Sequence, residues 1–73
     1  MAEQRRDPRV DPRPGDHLYP CGLPGWQRWV TKRSGDTVEF VSQLGSTHMG
    51  PFDNSLRDWQ TQMKEAEVVH VAD

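Results

Sequence analysis

The sequence predicts an α+β domain: a small SH3-like, partly open antiparallel β-barrel with one helix in its C-terminal half, preceded by a disordered N-terminal arm. Three observations carry this expectation. A chain of 73 residues, 33% apolar and 27% charged, can build one small core and no more. Two runs rich in aromatic and β-branched residues, 26–33 and 37–44, flank the compact turn Ser34-Gly35-Asp36, the pattern of a β-hairpin. A short helical stripe and a last β-branched run follow, so strands lead, a helix interrupts and a strand closes. A five-stranded nucleic-acid-binding barrel is the competing architecture.

Residues 1–15 read as a flexible Pro/Arg-rich arm, and 16–73 as the single domain. Five of the six prolines (Pro8, Pro12, Pro14, Pro20, Pro24) fall within the first 24 residues, and Asp7-Pro8-Arg9 is echoed by Asp11-Pro12-Arg13. Each proline removes a backbone donor and pushes its predecessor toward extended geometry. Val10 is the only non-proline apolar side chain between Gln4 and Gly15, so the arm is expected not to bury itself. Deleting residues 1–14 is then expected to leave thermal stability almost unchanged. The arm is either a loose tail or a segment that docks on a partner through Val10 and arginines such as Arg13.

Asp16 to Pro20 is short and extended around Leu18, and Cys21-Gly22-Leu23-Pro24-Gly25 is a loop. In the first hairpin strand, alternation sets Trp26, Arg28, Val30 and Lys32 on one face and Gln27, Trp29, Thr31 and Arg33 on the other. A plain strand therefore separates the two tryptophans, whereas a bulge between them would bring them together. In the second strand Val38 and Phe40 face the core. Gly45 to Pro51 reads as a loop or a short strand around Thr47, His48 and Met49. Ser55 is placed to cap a helix of about ten residues, with Asp58 three positions on as in a capping box and Phe52 covering the first turn. Leu56, Trp59 and Met63 form its apolar stripe, which assigns Trp59 to the core. Val68-Val69-His70-Val71 is the last strand.

Charge divides unevenly. Residues 1–33 carry seven cations against four acids and residues 34–73 two against seven, for a net charge of −2. Such a dipolar chain suits a protein partner with a charged patch of its own, and its acidic half argues against coating nucleic acid. The single cysteine, Cys21, excludes an internal disulfide. No apolar run nears the roughly 18 residues of a membrane span, and the start leads into prolines and charges rather than an apolar leader. A reducing, cytoplasmic setting fits. Cys21, His17, His48 and His70 lack the spacing of a structural zinc site, so no metal or other cofactor is expected. Ser34, Ser42, Ser46 and Ser55 have no nucleophile elbow around them, and no glycine-rich phosphate loop is present. An enzyme is not expected.

Binding remains. Tryptophan and arginine are the residues most enriched at interface hot spots, and three tryptophans exceed what so small a core needs. Leu23, Trp26, Arg28 and Trp29 form the candidate contact surface, with Val10 and Arg13 of the arm beside it. The plain alternative is that both indoles fill the barrel interior and its open end. Arg28, Lys32 and Arg33, interleaved with Trp26 and Trp29, leave open a nucleic-acid surface on which bases stack, and an inhibitor of some other host protein would share every feature used here.

The combination of Asp11-Pro12-Arg13-Pro14-Gly15-Asp16, Ser34-Gly35-Asp36-Thr37-Val38-Glu39-Phe40-Val41 and Ser55-Leu56-Arg57-Asp58-Trp59 through Glu67-Val68-Val69 resembles short SH3-like proteins of phage genomes and of bacteria that carry phage remnants. In length and pattern the chain is similar to the small RNA-polymerase-binding transcription regulators of lytic phages, those of Xanthomonas phages in particular. The resemblance implies a protein in the cytoplasm of the bacterial host that binds RNA polymerase at the N-terminal end of the β′ subunit and at the β flap. It would block initiation by displacing the σ factor and promote antitermination, acting as a monomer with no membrane contact and only indirect contact with nucleic acid. No site residue comes from the resemblance; those named above rest on the physical argument.

Overall fold

The computed structural model describes residues 6–72. Its elements are β1 (His17–Tyr19), a 3₁₀ turn (Pro20–Gly22), β2 (Trp26–Ser34), β3 (Thr37–Leu44), β4 (Thr47–Ser55), α1 (Leu56–Gln62) and β5 (Glu67–His70). The strands form one antiparallel sheet in the order β4-β3-β2-β1-β5. β4 and β5 are its two edges, so the sheet is open rather than closed. The α+β class, the antiparallel sheet and the helix in the C-terminal half match the sequence expectation.

The β2–β3 hairpin turns through Gly35-Asp36, with Ser34 opposite Thr37 and Gly35 at φ +55°, a conformation that suits glycine. Directly opposed residues share a sheet face, so the register gives the inner face row by row. Trp26, Leu44 and Thr47 form one row, Arg28, Ser42 and Met49 the next, and Val30, Phe40 and Phe52 the third, with Arg33, Val38 and Asn54 beyond them. Helix α1 carries the chain from the β4 edge toward β5 across this face. Its Trp59 and Met63, with Ala66 just beyond, close the core over Leu18, Val30, Val38 and Phe40, while Leu56 and Val68 pack at the margin. Ser55 caps the helix by accepting the Asp58 backbone N–H at 3.1 Å. The helix is seven residues long rather than ten.

Three expectations are corrected. First, the segment 6–15 is not a free arm but a strap packed on the domain. Pro8 and Pro12 are buried, and the buried Trp59 indole Nε1 donates to the Pro8 carbonyl at 2.9 Å. Both Arg6 Nη atoms donate to the Asp16 carboxylate, Nη1 at 2.5 Å and Nη2 at 2.9 Å. Arg33 Nη1 donates to Asp11 Oδ1 and to the Pro12 carbonyl, both at 2.8 Å. The strap needs few apolar side chains because proline rings, carbonyls and guanidinium groups supply its contacts. The part of the arm at residues 1–5 lies outside the described residues.

Second, a bulge at Thr31 shifts the β2 register between Val30, opposite Phe40, and Lys32, opposite Glu39. The faces of Lys32 and Arg33 are exchanged, and Arg33 turns inward to hold the strap. Third, residues 47–55 form a nine-residue strand despite Pro51. As an edge strand it tolerates the missing donor, and a bulge opposite Val41 takes up Gly50 and Pro51, which are joined by a cis peptide bond. Phe52 accordingly belongs to the sheet, its ring 5.6 Å from that of Phe40.

Candidate interaction surface

The alternation of β2 separates the two candidate tryptophans. Trp26 is on the inner face with Arg28, while Trp29 is on the outer face, stacked on His17 at 4.6 Å with 13° between the rings. Tyr19 meets the edge of the same imidazole at 5.6 Å, and His17 Nε2 lies 2.9 Å from Gln27 Oε1. Both indoles are half-buried, so neither is sealed in the core.

The inner face changes character along the strands. Val38 and Phe40 are buried beneath α1, whereas Leu44 and Phe52 are 55% and 44% exposed. Trp26 and Met49 are half-buried between these extremes. The helix thus leaves one end of the face open, and the open end is apolar. Leu23, 55% exposed, sits in the loop at the same end, where Trp26 N–H donates to its carbonyl and Gly45 N–H to that of Gly25, both at 2.9 Å.

Arg28 occupies the boundary between the covered and the open parts. Its guanidinium carbon is 4.5 Å from the centroid of Phe40, 5.3 Å from Trp26 and 6.0 Å from Trp59, a three-ring cation–π cluster. Both of its hydrogen bonds leave Nη1, one to Gln62 Oε1 at 3.0 Å and one to Met63 Sδ at 3.5 Å. Nε is buried and has no hydrogen-bond partner among the described residues. Burial pushes the guanidinium below the ordinary arginine value, opposed only by the nearby Cys21. No carboxylate faces it from the neighbouring strands: the acids of β3 and β4, Glu39 and Asp53, are paired with each other on the outer face.

The remaining candidate residues lie elsewhere. Val10 is 54% exposed on the strap beside α1, where Gln60 Nε2 donates to its carbonyl at 2.8 Å. Arg13 is exposed, its guanidinium 3.7 Å from Asp11. The structure therefore joins Trp26 and Arg28, sets Leu23 at the same end, and places Trp29 on the opposite face. Leu44, Met49 and Phe52 complete the apolar surface and were not among the sequence candidates. Extending the Val38–Phe40 alternation by two steps would have found Leu44; the β4 bulge hid the other two.

The separation also weighs on nucleic-acid binding. The outer face carries the Trp29–His17–Tyr19 stack, but Arg28 and Arg33 point to the other side, and Lys32 stands opposite Glu39. Stacking surfaces for single strands combine rings with a basic groove, and here the two are on different faces. Among the described residues no group of three or more His, Cys, Asp or Glu side chains is placed to hold a metal ion, and no helix is long and apolar enough to cross a membrane. Comparison of the chain with protein-family models, with curated proteins and with solved structures returns no match.

Proposed function

We propose that this chain is a non-catalytic regulator that acts by occupying a surface on a protein partner, and that the partner is bacterial RNA polymerase. In this reading the open sheet is an SH3-like barrel left unclosed, and the protein works as a monomer in the cytoplasm of the host cell. It displaces the σ factor to block initiation, and it promotes antitermination by remaining on the elongating enzyme at the N-terminal end of β′ and the β flap. The observation that supports binding is the half-exposed Trp26 beside Arg28 at an apolar sheet end that the helix leaves open. Indole and guanidinium groups in such a setting are the usual anchors of an interface. The choice of polymerase rests on the sequence resemblance alone.

The test is capture of purified bacterial RNA polymerase by the immobilised chain, followed by transcription from σ-dependent promoters. Stoichiometric capture and loss of initiation are expected. Trp26→Ala and Arg28→Ala should weaken the complex mainly through faster dissociation. Failure to retain any polymerase subunit removes the reading, and salt-sensitive binding of DNA or RNA in its place would favour a nucleic-acid barrel.

A further inference from the structure

A guanidinium placed among aromatic rings, with a buried Nε that has no acceptor among the described residues, is an incomplete site. Leaving a buried donor unpaired carries its desolvation penalty unrecovered, and nothing on the inner face of β2–β4 supplies the missing group. The residues around Arg28 there are Trp26, Ser42, Leu44, Met49 and Phe52, all neutral. The two existing hydrogen bonds hold Nη1 against Gln62 and Met63, which leaves the Nε–Nη2 edge as the docking edge. That edge presents two parallel N–H groups, the geometry matched by a carboxylate.

We propose that Arg28 is the receptor for one Asp or Glu side chain on an acidic–apolar segment of the partner protein. The apolar neighbours of that acid then lie on Trp26, Leu44 and Phe52. This inference rests on the reading that the chain acts by binding a protein, and it identifies the chemistry the partner must present. Charge complementarity selects the occupant: a single cation in an apolar surround suits one monovalent carboxylate. A doubly charged phosphate calls for an arginine cluster, and the other inward arginine of β2, Arg33, is already committed to Asp11. Nε lies below the surface, so the acid reaches it only with a shift of the side chains around the guanidinium.

The experiment is selection of random twelve-residue peptides on the immobilised full-length chain, followed by affinity measurement with the best synthetic peptide. Enrichment of Asp or Glu next to aliphatic or aromatic residues is expected. The peptide should lose at least about tenfold in affinity on Arg28→Met, and similarly on Arg28→Lys, which keeps the charge but not the fork. Changing the peptide acid to its amide should cost as much, and combining the two changes should cost little more than either alone. Near-ultraviolet dichroism checks that the variants keep their tertiary packing. Absence of acidic enrichment, undiminished binding by Arg28→Met, or Arg28-dependent binding of single-stranded DNA in place of acidic peptides overturns the proposal. The two readings fail separately. Acidic peptides bound without polymerase leave this inference standing and remove the polymerase, whereas polymerase held equally well by Arg28→Met does the reverse.

Discussion

Removing residues 1–14 should unfold the domain or nearly so, and the magnitude follows from three contacts of the strap. The first is the ion pair of Arg6 with Asp16, whose side chains are 14% and 0% exposed. Deleting the cation leaves a buried carboxylate with only the Ala72 N–H among its described charge-stabilising partners, since the Arg13 N–H is lost as well. Breaking a buried pair from one side costs about 3–5 kcal/mol. The second is the indole of Trp59, which loses the Pro8 carbonyl; an orphaned buried donor costs about 1–3 kcal/mol. The third is the cover given by the buried rings of Pro8 and Pro12. Taking the low ends of the first two, and nothing for the third because contacts in one segment overlap, gives a loss of about 4 kcal/mol. A domain of this length has a total stability of about 4–11 kcal/mol, and each kcal/mol shifts the melting temperature of a small domain by about 4–8 °C. The truncated chain should therefore melt at least about 15 °C below the full chain, or show no cooperative transition, when followed by circular dichroism and by urea titration. A melting temperature within about 5 °C of the full chain would refute the strap's structural role and return it to the status of a tail.

Two further outcomes follow from the same contacts. Burial works to raise the Asp16 pKa, but the Arg6 hydrogen bonds, the Arg13 and Ala72 backbone N–H groups and the Arg6 charge outweigh it, so the folded value lies below the ordinary one. A depressed folded pKa contributes stability that is present above the unfolded value of about 3.9 and is lost as pH falls through the folded value. Arg6→Gln, by removing the cation, should move the acid-unfolding midpoint to higher pH in a tryptophan-fluorescence titration; an unchanged midpoint contradicts the pairing. Trp59→Ala should cost about 3–5 kcal/mol as for other core aromatics, and Trp59→Phe should still lose about 1 kcal/mol or more through the unanswered Pro8 carbonyl. Urea denaturation of both variants checks the order, and a Phe variant as stable as the parent would remove the hydrogen bond from the account.

Local signals in the sequence were sufficient for the hairpin and the helix. The Ser34-Gly35-Asp36 turn, the Val38–Phe40 alternation and the Ser55 cap each act over a few residues, and each appears where its chemistry places it. Long-range arrangements were not legible. The Trp59–Pro8 bond joins residues 51 apart and the Arg6–Ala72 bond residues 66 apart, and no periodicity announces a proline carbonyl as the acceptor of an indole. The bulge at Thr31 was equally hidden, because strand alternation carries no mark of a single inserted residue, and it reversed the faces of Lys32 and Arg33. Pro51 argued against a strand; only the edge position of β4 and its bulge reconcile the two. In the candidate site, the period of two brought Trp26 and Arg28 together and parted them from Trp29, while Met49 and Phe52 depended on that same β4 register.

The distribution of arginine partners separates the arginines of the strap and Arg33 of β2, which build the fold, from Arg28. Arg6 is bound to Asp16, Arg9 to Asp7, and Asp11 takes both Arg33 and Arg13. These pairs all lie within residues 1–33, so they fix the strap in place but leave the seven-against-four charge excess of that half, and with it the dipole read from the sequence, unchanged. Arg28 is the exception on β2, held by rings, an amide and a thioether rather than by a carboxylate. A domain this small has little stability to spend on an unpaired desolvated charge, and replacing such a group with an apolar side chain is often neutral or stabilising for folding alone. The fold does not account for Arg28, and on the proposed reading the partner's carboxylate does. Recognition is then short-range, made through one guanidinium and the aromatic surface around it.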